Sequence, residues 1–194
     1  MVLLRRLAVT ITVLLAATNA HATPLLQLDI LGGHYDPFTQ TIVSDGPDFT
    51  LVALLTPRLS AGPLETLLGD TYYISAAVTP AMGSTGATIG SFSWNGTSYG
   101  VTGDMTFGTP PLEGADAIAD EGDLAAHSVF PTFFIEFTFQ FSTANRTETY
   151  DTAQNPGGLA PTSATTGVSY FQTFNLSTAL EGNYALHFDL YDTY

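Results

Sequence analysis

From Phe133 to Phe141 the chain places Phe133, Ile135, Phe137, Phe139 and Phe141 at every second position, with Glu136, Thr138, Gln140 and Ser142 on the intervening phase. Side chains alternate across a β-strand, so this spacing gathers the five apolar groups onto one face. On a helix, at about 100° per residue, the same groups would spread around the axis and wet much of their surface. Burying each fully is worth roughly 1.5–3 kcal/mol, so the fold must supply an opposing apolar layer. This stretch is therefore worth more as core than as the scaffold of a site.

The remaining segments speak the same grammar. "LLQLDIL" alternates, with Leu26, Leu28 and Ile30 on one side and Gln27 and Asp29 on the other, and "GGHYDP" follows as a turn. Further strands are expected at "FTLVALL", "YYISAAV", "GATIGSFSW", "SYGVTGDMTF", "VSYFQTFNL" and "NYALHFDLY". Asn95-Gly96 between two of them suits a tight hairpin whose turn residues need positive φ. Helix is expected only as a turn or two at "GPLETLLGD" and "GADAIADEGDLAAH", and "STANRTETYDTAQNPGGLAPTSATTG" reads as a long exposed connection. Short strands, polar turns and one aromatic-rich face predict an all-β fold: a single-domain antiparallel β-sandwich of the jelly-roll or immunoglobulin-like kind, with a closed barrel as the alternative.

The first 22 residues are set apart. Arg5 and Arg6 precede an apolar run from Leu7 to Ala17, and Ala20-His21-Ala22 ends it with small residues where a signal peptidase requires them. The run is shorter than the roughly 20 residues a membrane-spanning helix needs. Residues 1–22 are thus expected to be a signal peptide, cleaved after Ala22; the paired arginines raise twin-arginine export, but general secretion fits better. Residues 23–194 then form the sandwich, and no later run is long and apolar enough to span a bilayer as a helix.

Charge excludes one class of partner. Beyond residue 22 the only lysines or arginines are Arg58 and Arg146, set against 18 acidic residues. A chain with so few cations cannot release counterions from a phosphate backbone, so nucleic-acid binding is excluded, and anionic lipid repels it. The absence of cysteine removes thiol catalysis, cysteine-ligated metals and disulfides, which a domain of this size does not need.

Candidate chemistry is sparse. His34, His127 and His187 lack the close spacing of a zinc site, and His127 stands just before a strand. Asp116, Asp120, Glu121 and Asp123 offer oxygens of the kind Ca²⁺ prefers, though without the order of an EF-hand loop; a solvated acidic loop is the simpler interpretation. His187 and Asp189 share a strand face, and Asp29 and Asp36 lie elsewhere, but no G-x-S-x-G elbow supplies an oriented nucleophile. Trp94, Tyr99, Tyr72 and Tyr73 can bind carbohydrate if exposed, while strand aromatics more often pack inward. Asn95, Asn145 and Asn175 each open a glycosylation sequon, which counts only in a host with that pathway.

Three stretches together, "LQLDILGGHYDPFTQT", "HSVFPTFFIEFTFQF" and "HFDLYD", resemble the bacterial choice-of-anchor N proteins. The resemblance implies a signal peptide, an ectodomain with such segments in this order, and a variable C-terminal sorting signal, often of the PEP-CTERM type. It implies display on, or release from, a Gram-negative-type envelope, and it implies no catalytic residues. The chain departs from that pattern by stopping at "DLYDTY", so the expectation is either a sequence that continues past Tyr194, which is favoured, or a member released unanchored. The functional expectation is an exported surface or extracellular-matrix protein, structural or adhesive and not an enzyme, without cofactor, whose partners are extracellular polysaccharide or surface proteins. A carbohydrate- or calcium-dependent binding module and a secreted hydrolase are the alternatives.

Overall fold

The computed structural model describes residues 26–39, 41–57, 63–110, 131–159 and 167–192. The expected signal peptide, His127 and the acids Asp116, Asp120, Glu121 and Asp123 lie outside the described residues. Twelve strands run in order: β1 (Leu26–Ile30), β2 (His34–Asp36), β3 (Thr41–Val43), β4 (Asp48–Leu55), β5 (Tyr72–Thr79), β6 (Gly90–Trp94), β7 (Thr97–Gly100), β8 (Thr106–Gly108), β9 (Thr132–Phe139), β10 (Arg146–Thr147), β11 (Ser169–Leu180) and β12 (Ala185–Tyr191). One 3₁₀ turn, Leu64–Thr66, stands where "GPLETLLGD" predicts a short helical piece.

These strands make an antiparallel β-sandwich. One sheet has the order β1-β4-β11-β6-β7, with β10 also paired to β11; the second has the order β12-β5-β9-β8; β2 and β3 form a separate hairpin. The alternating face of β9 is the seam between the two large sheets. Phe137 stacks on Trp94 of β6 at 4.1 Å between ring centroids and 4° between planes, and Phe139 meets Phe174 of β11 edge-on at 5.1 Å. Phe49 of β4 and Phe188 of β12 close the same layer at 6.1 Å. Phe133 and Phe141 are buried in this core, with Ile135, Phe137 and Phe139 partly buried against it.

The hairpin signal at Asn95-Gly96 holds: β6 and β7 pair around it, and both residues have positive φ, 49° and 84°. "SYGVTGDMTF" is not one strand. It divides into β7 in the first sheet and β8 in the second, and the intervening turn carries buried Val101 across with Asp104 Oδ2 accepting the Gly100 N–H at 2.6 Å. "GGHYDP" likewise contains more than a turn, because β2 and β3 pair from His34 to Val43.

The largest difference from the sequence expectation concerns 142–159. Beyond an exposed connection, which much of it is, this segment adds β10 to the edge of β11 and then lies as a strap over the outer side of β1 and β4. Tyr150 and Leu159 cover Val52, Leu54 and Phe171, a second small core. Gly157 makes the close approach possible: its φ is +71°, and a β-carbon there would stand 1.9 Å from the Gly33 carbonyl oxygen. Both faces of β4 are therefore buried, which explains why "LVALL" is a continuous apolar run and not an alternating one.

The seam makes a measurable demand. Phe137→Ala should cost about 3 kcal/mol by urea denaturation. Thr138→Ala, on the exposed phase of the same strand, should change stability by less than about 0.5 kcal/mol. Equal losses from the two substitutions would contradict this assignment of faces.

Candidate functional site

The outer face of the second sheet collects the polar residues that β12 carries in alternation. Register sets Asp189 opposite Ser75, and Ser75 opposite Glu136, so three strands present them in a row. His187, two residues from Asp189, returns to the same face and its Nε2 lies 3.2 Å from Asp189 Oδ1. Tyr191 stacks on Tyr73 at 5.4 Å and donates its hydroxyl to Glu136 Oε1. The shared face expected for His187 and Asp189 is thus present, and Ser75, Glu136 and Tyr191 join it, a grouping visible only once strand register is known.

The arrangement is not that of an acyl-transfer triad. Ser75 is 0% exposed and among the described residues its Oγ has no hydrogen-bond partner, so the hydroxyl is not seated on the His187 imidazole that would have to deprotonate it. It stands across from a carboxylate instead. Among the described residues no three histidines, aspartates or glutamates converge on a position that holds a metal ion. His34 lies in β2 and pairs its Nδ1 with Asp45 Oδ1 at 2.7 Å on the surface, in a different element from His187. Asp36 serves its own turn: its oxygens accept the Thr39 hydroxyl at 2.7 Å and the Phe38 N–H at 3.0 Å, which hold its pKa below the ordinary carboxylate value.

Of the aromatics proposed for carbohydrate contact, three pack inward, and Tyr73 lies on the outer face of the second sheet. Trp94 and Tyr72 are buried; Tyr99 stacks on Phe92 at 5.4 Å, and Tyr73 is half-covered by Tyr191. Among the described residues the most exposed ring is Phe38, 94% exposed at the tip of the β2–β3 hairpin; Tyr35 on β2 and Phe107 on β8 are also exposed. "DPFT" has a turn signature in Asp36-Pro37, but nothing in the local pattern distinguishes Phe38 from the core phenylalanines.

Two further clusters escaped sequence reasoning because their members are far apart in the chain. Gln27, on the outer face of β1, donates Nε2 to Thr56 Oγ1 at 3.1 Å and to the Tyr150 carbonyl at 2.9 Å, and its Oε1 accepts the Thr152 N–H at 2.8 Å. Asp29 on the same face accepts the Gly157 N–H and its neighbour Ile30 N–H, each at 2.8 Å, and lies 2.9 Å from the Tyr150 hydroxyl. The two polar positions of "LQLDI" are the anchorage of the strap.

The second cluster surrounds Arg146. Its guanidinium lies 4.8 Å over the Tyr170 ring, bonds Glu65 Oε1 at 3.1 Å and reaches the Tyr170 hydroxyl. Glu65 is held ionised below its ordinary range, first by its own backbone N–H, then by the Tyr170 hydroxyl and by Arg146. Beside this pair opens a cleft of about 350 Å³ whose apolar walls include Pro57, Pro63 and Val168. Hydroxyl-rich ligands suit such a wall, because a carboxylate accepts and a guanidinium donates.

No family model, no curated protein and no solved structure matches this chain. The geometry itself generates one test here. Gln27→Leu keeps the volume but leaves the Thr152 N–H, the Tyr150 carbonyl and Thr56 without the amide, and should destabilise the fold by about 2 kcal/mol in chemical denaturation. A neutral result would show that the strap does not depend on that amide.

Proposed function

We propose that the chain is an exported bacterial surface or extracellular-matrix domain with a structural, adhesive and non-catalytic role. The observation that carries this reading is Phe38. A phenylalanine left 94% exposed forgoes roughly 1.5–3 kcal/mol of burial, and here the ring is held out by a turn whose backbone and hydroxyl are bonded to Asp36. A preorganised aromatic on a hairpin tip is a contact residue: it loses little conformational freedom on docking and stacks on a pyranose face or fills a pocket of a neighbouring surface protein. The leader-like first 22 residues, the acidic exterior and the resemblance to choice-of-anchor N ectodomains support the same reading.

A carbohydrate-binding module is a second reading, favoured by the cleft beside Arg146 and Glu65. The two readings separate by substitution. Phe38→Ser should lower retention on extracellular polysaccharide or intact cells several-fold while leaving the melting midpoint unchanged, since the ring contributes nothing to the core. Loss of retention with Arg146→Ala and not with Phe38→Ser would move the contact to the cleft.

Calcium distinguishes the remaining alternative. Melting with added calcium and with EDTA should give the same midpoint for a structural domain; a calcium-dependent rise of several degrees would assign the acids around Asp116–Asp123 a ligand role, because only binding to the folded state raises the midpoint.

A further inference from the structure

A knob and a cleft stand at opposite ends of one pair of strands. β1 and β4 pair from Leu26 opposite Leu55 to Ile30 opposite Leu51. The β2–β3 hairpin springs from the Ile30 end and holds Phe38, 94% exposed, at its tip. The cleft opens at the other end, where Pro57 follows Leu55 and Arg146 of β10 lies beside Tyr170, the cross-strand partner of Leu55.

The two agree in size and in character. The cleft has a volume of about 350 Å³ and apolar walls of Pro57, Pro63, Leu64 and the half-exposed Val168. An apolar cavity of about 150 Å³ holds a benzene ring, so a phenyl group enters with room for part of the turn that bears it. That turn is already ordered: Asp36 accepts the Phe38 N–H at 3.0 Å and the Thr39 hydroxyl at 2.7 Å, and Thr39 Oγ1 lies 2.8 Å from Thr41 Oγ1. Docking therefore costs little conformational freedom. Charge selects the same pairing. Arg146 at the cleft is the only lysine or arginine among the described residues, while the knob carries Asp36 just before Pro37 and Phe38. A copy of a chain with formal net charge -14 is repelled over most of its neighbour and least of all at this cation. Glu65 offsets part of the attraction, so the apolar walls hold the ring and Arg146 sets which end faces inward.

We propose that Phe38 of one copy seats between Pro57, Pro63 and Val168 of the next, with Asp36 toward Arg146, so that copies of this chain join head to tail. This rests on the reading of Phe38 as a contact residue and names its partner as a second copy. Because knob and cleft lie at opposite ends, each copy that docks leaves its own cleft open to a third, and the contact is heterologous and repeats. One ring and its turn bury less than the roughly 1,200–2,000 Å² of a stable pair. The joint is therefore weak singly and fills where copies are crowded.

The test is sedimentation velocity of the intact chain from about 10 μM to 1 mM, in about 0.15 M salt. The unaltered chain should associate with rising concentration and grow past the dimer. Phe38→Ser and Val168→Asp should each weaken association at least about tenfold while leaving the melting midpoint unchanged, since both side chains are exposed. Should Val168→Asp lower that midpoint, Pro63→Glu on another wall takes its place. An equimolar mixture of the knob and cleft variants should form dimers and stop there, because one brings only a cleft and the other only a knob. A chain that stays monomeric throughout, association that survives either substitution, or a mixture that does not pair overturns the proposal. If the unaltered chain is monomeric while Phe38→Ser still lowers retention on polysaccharide or cells, Phe38 remains a contact residue and only the second copy falls as its partner. If the substitution changes neither, both readings fall.

Discussion

The stack of Trp94 on Phe137 joins two separate sheets, and the rest of the molecule is arranged about it. Sheet faces have no directional chemistry of their own, so their separation and rotation are set by what interdigitates between them. Here that filling is aromatic: Trp94 contacts Phe137, Phe174 and Phe188, while Phe139 bridges Phe174, Tyr72 and Phe141. The rings come from β6, β9, β11 and β12, with Tyr72 from β5. Each of those strands must keep its register, because a slip of one residue would turn the rings out of the seam.

That constraint explains where the polar residues go. Inner positions are closed to them, so histidine, aspartate, serine and glutamine occupy outer phases of the strands. On β12 and β5 the outer phase collects His187, Asp189 and Ser75; on β1 it collects Gln27 and Asp29. The two outer faces then diverge in use. The first sheet adds another apolar layer through Val52, Leu54 and Phe171, which demands a cover, and the strap of 150–159 supplies it. The strap closes part of its backbone in its own turns, and the amide of Gln27 and the carboxyl of Asp29 take further N–H and C=O groups at Tyr150, Thr152 and Gly157.

Legibility in the sequence follows the range of each interaction. Phe133 to Phe141 and Asn95-Gly96 declare themselves because periodicity and turn chemistry are local, and both appear as expected. The all-β sandwich follows from many such local signals. The strap does not declare itself: Thr, Ala, Gly and Pro around 142–166 have the composition of a loop, and what packs residues 150–159 is the burial of both faces of β4, more than 90 residues earlier. "LVALL" carried the hint, since a continuous apolar run needs two apolar environments. The division of "SYGVTGDMTF" between two sheets was hidden for a different reason: the turn joins local bonds between Gly100 and Asp104 to a distant one, Val101 N–H to the Gly90 carbonyl. The exposed ring of Phe38 was hidden too, because exposure of one phenylalanine among 13 is a property of the fold.

The position of Asp29 shows why a buried carboxyl can be kept where leucine would pack as well. A pure apolar replacement would leave the Gly157 and Ile30 N–H groups unpaired beneath the strap. Asp29 presents Oδ1 to the two N–H groups and Oδ2 to the Tyr150 hydroxyl, so one carboxyl group meets β1 and two points of the strap. Glutamine at position 27 solves the same problem with an amide that donates twice and accepts once. The difference between the two anchors is that the amide is indifferent to pH while the acid is not. The strap thus has one fastening that does not titrate and one that does.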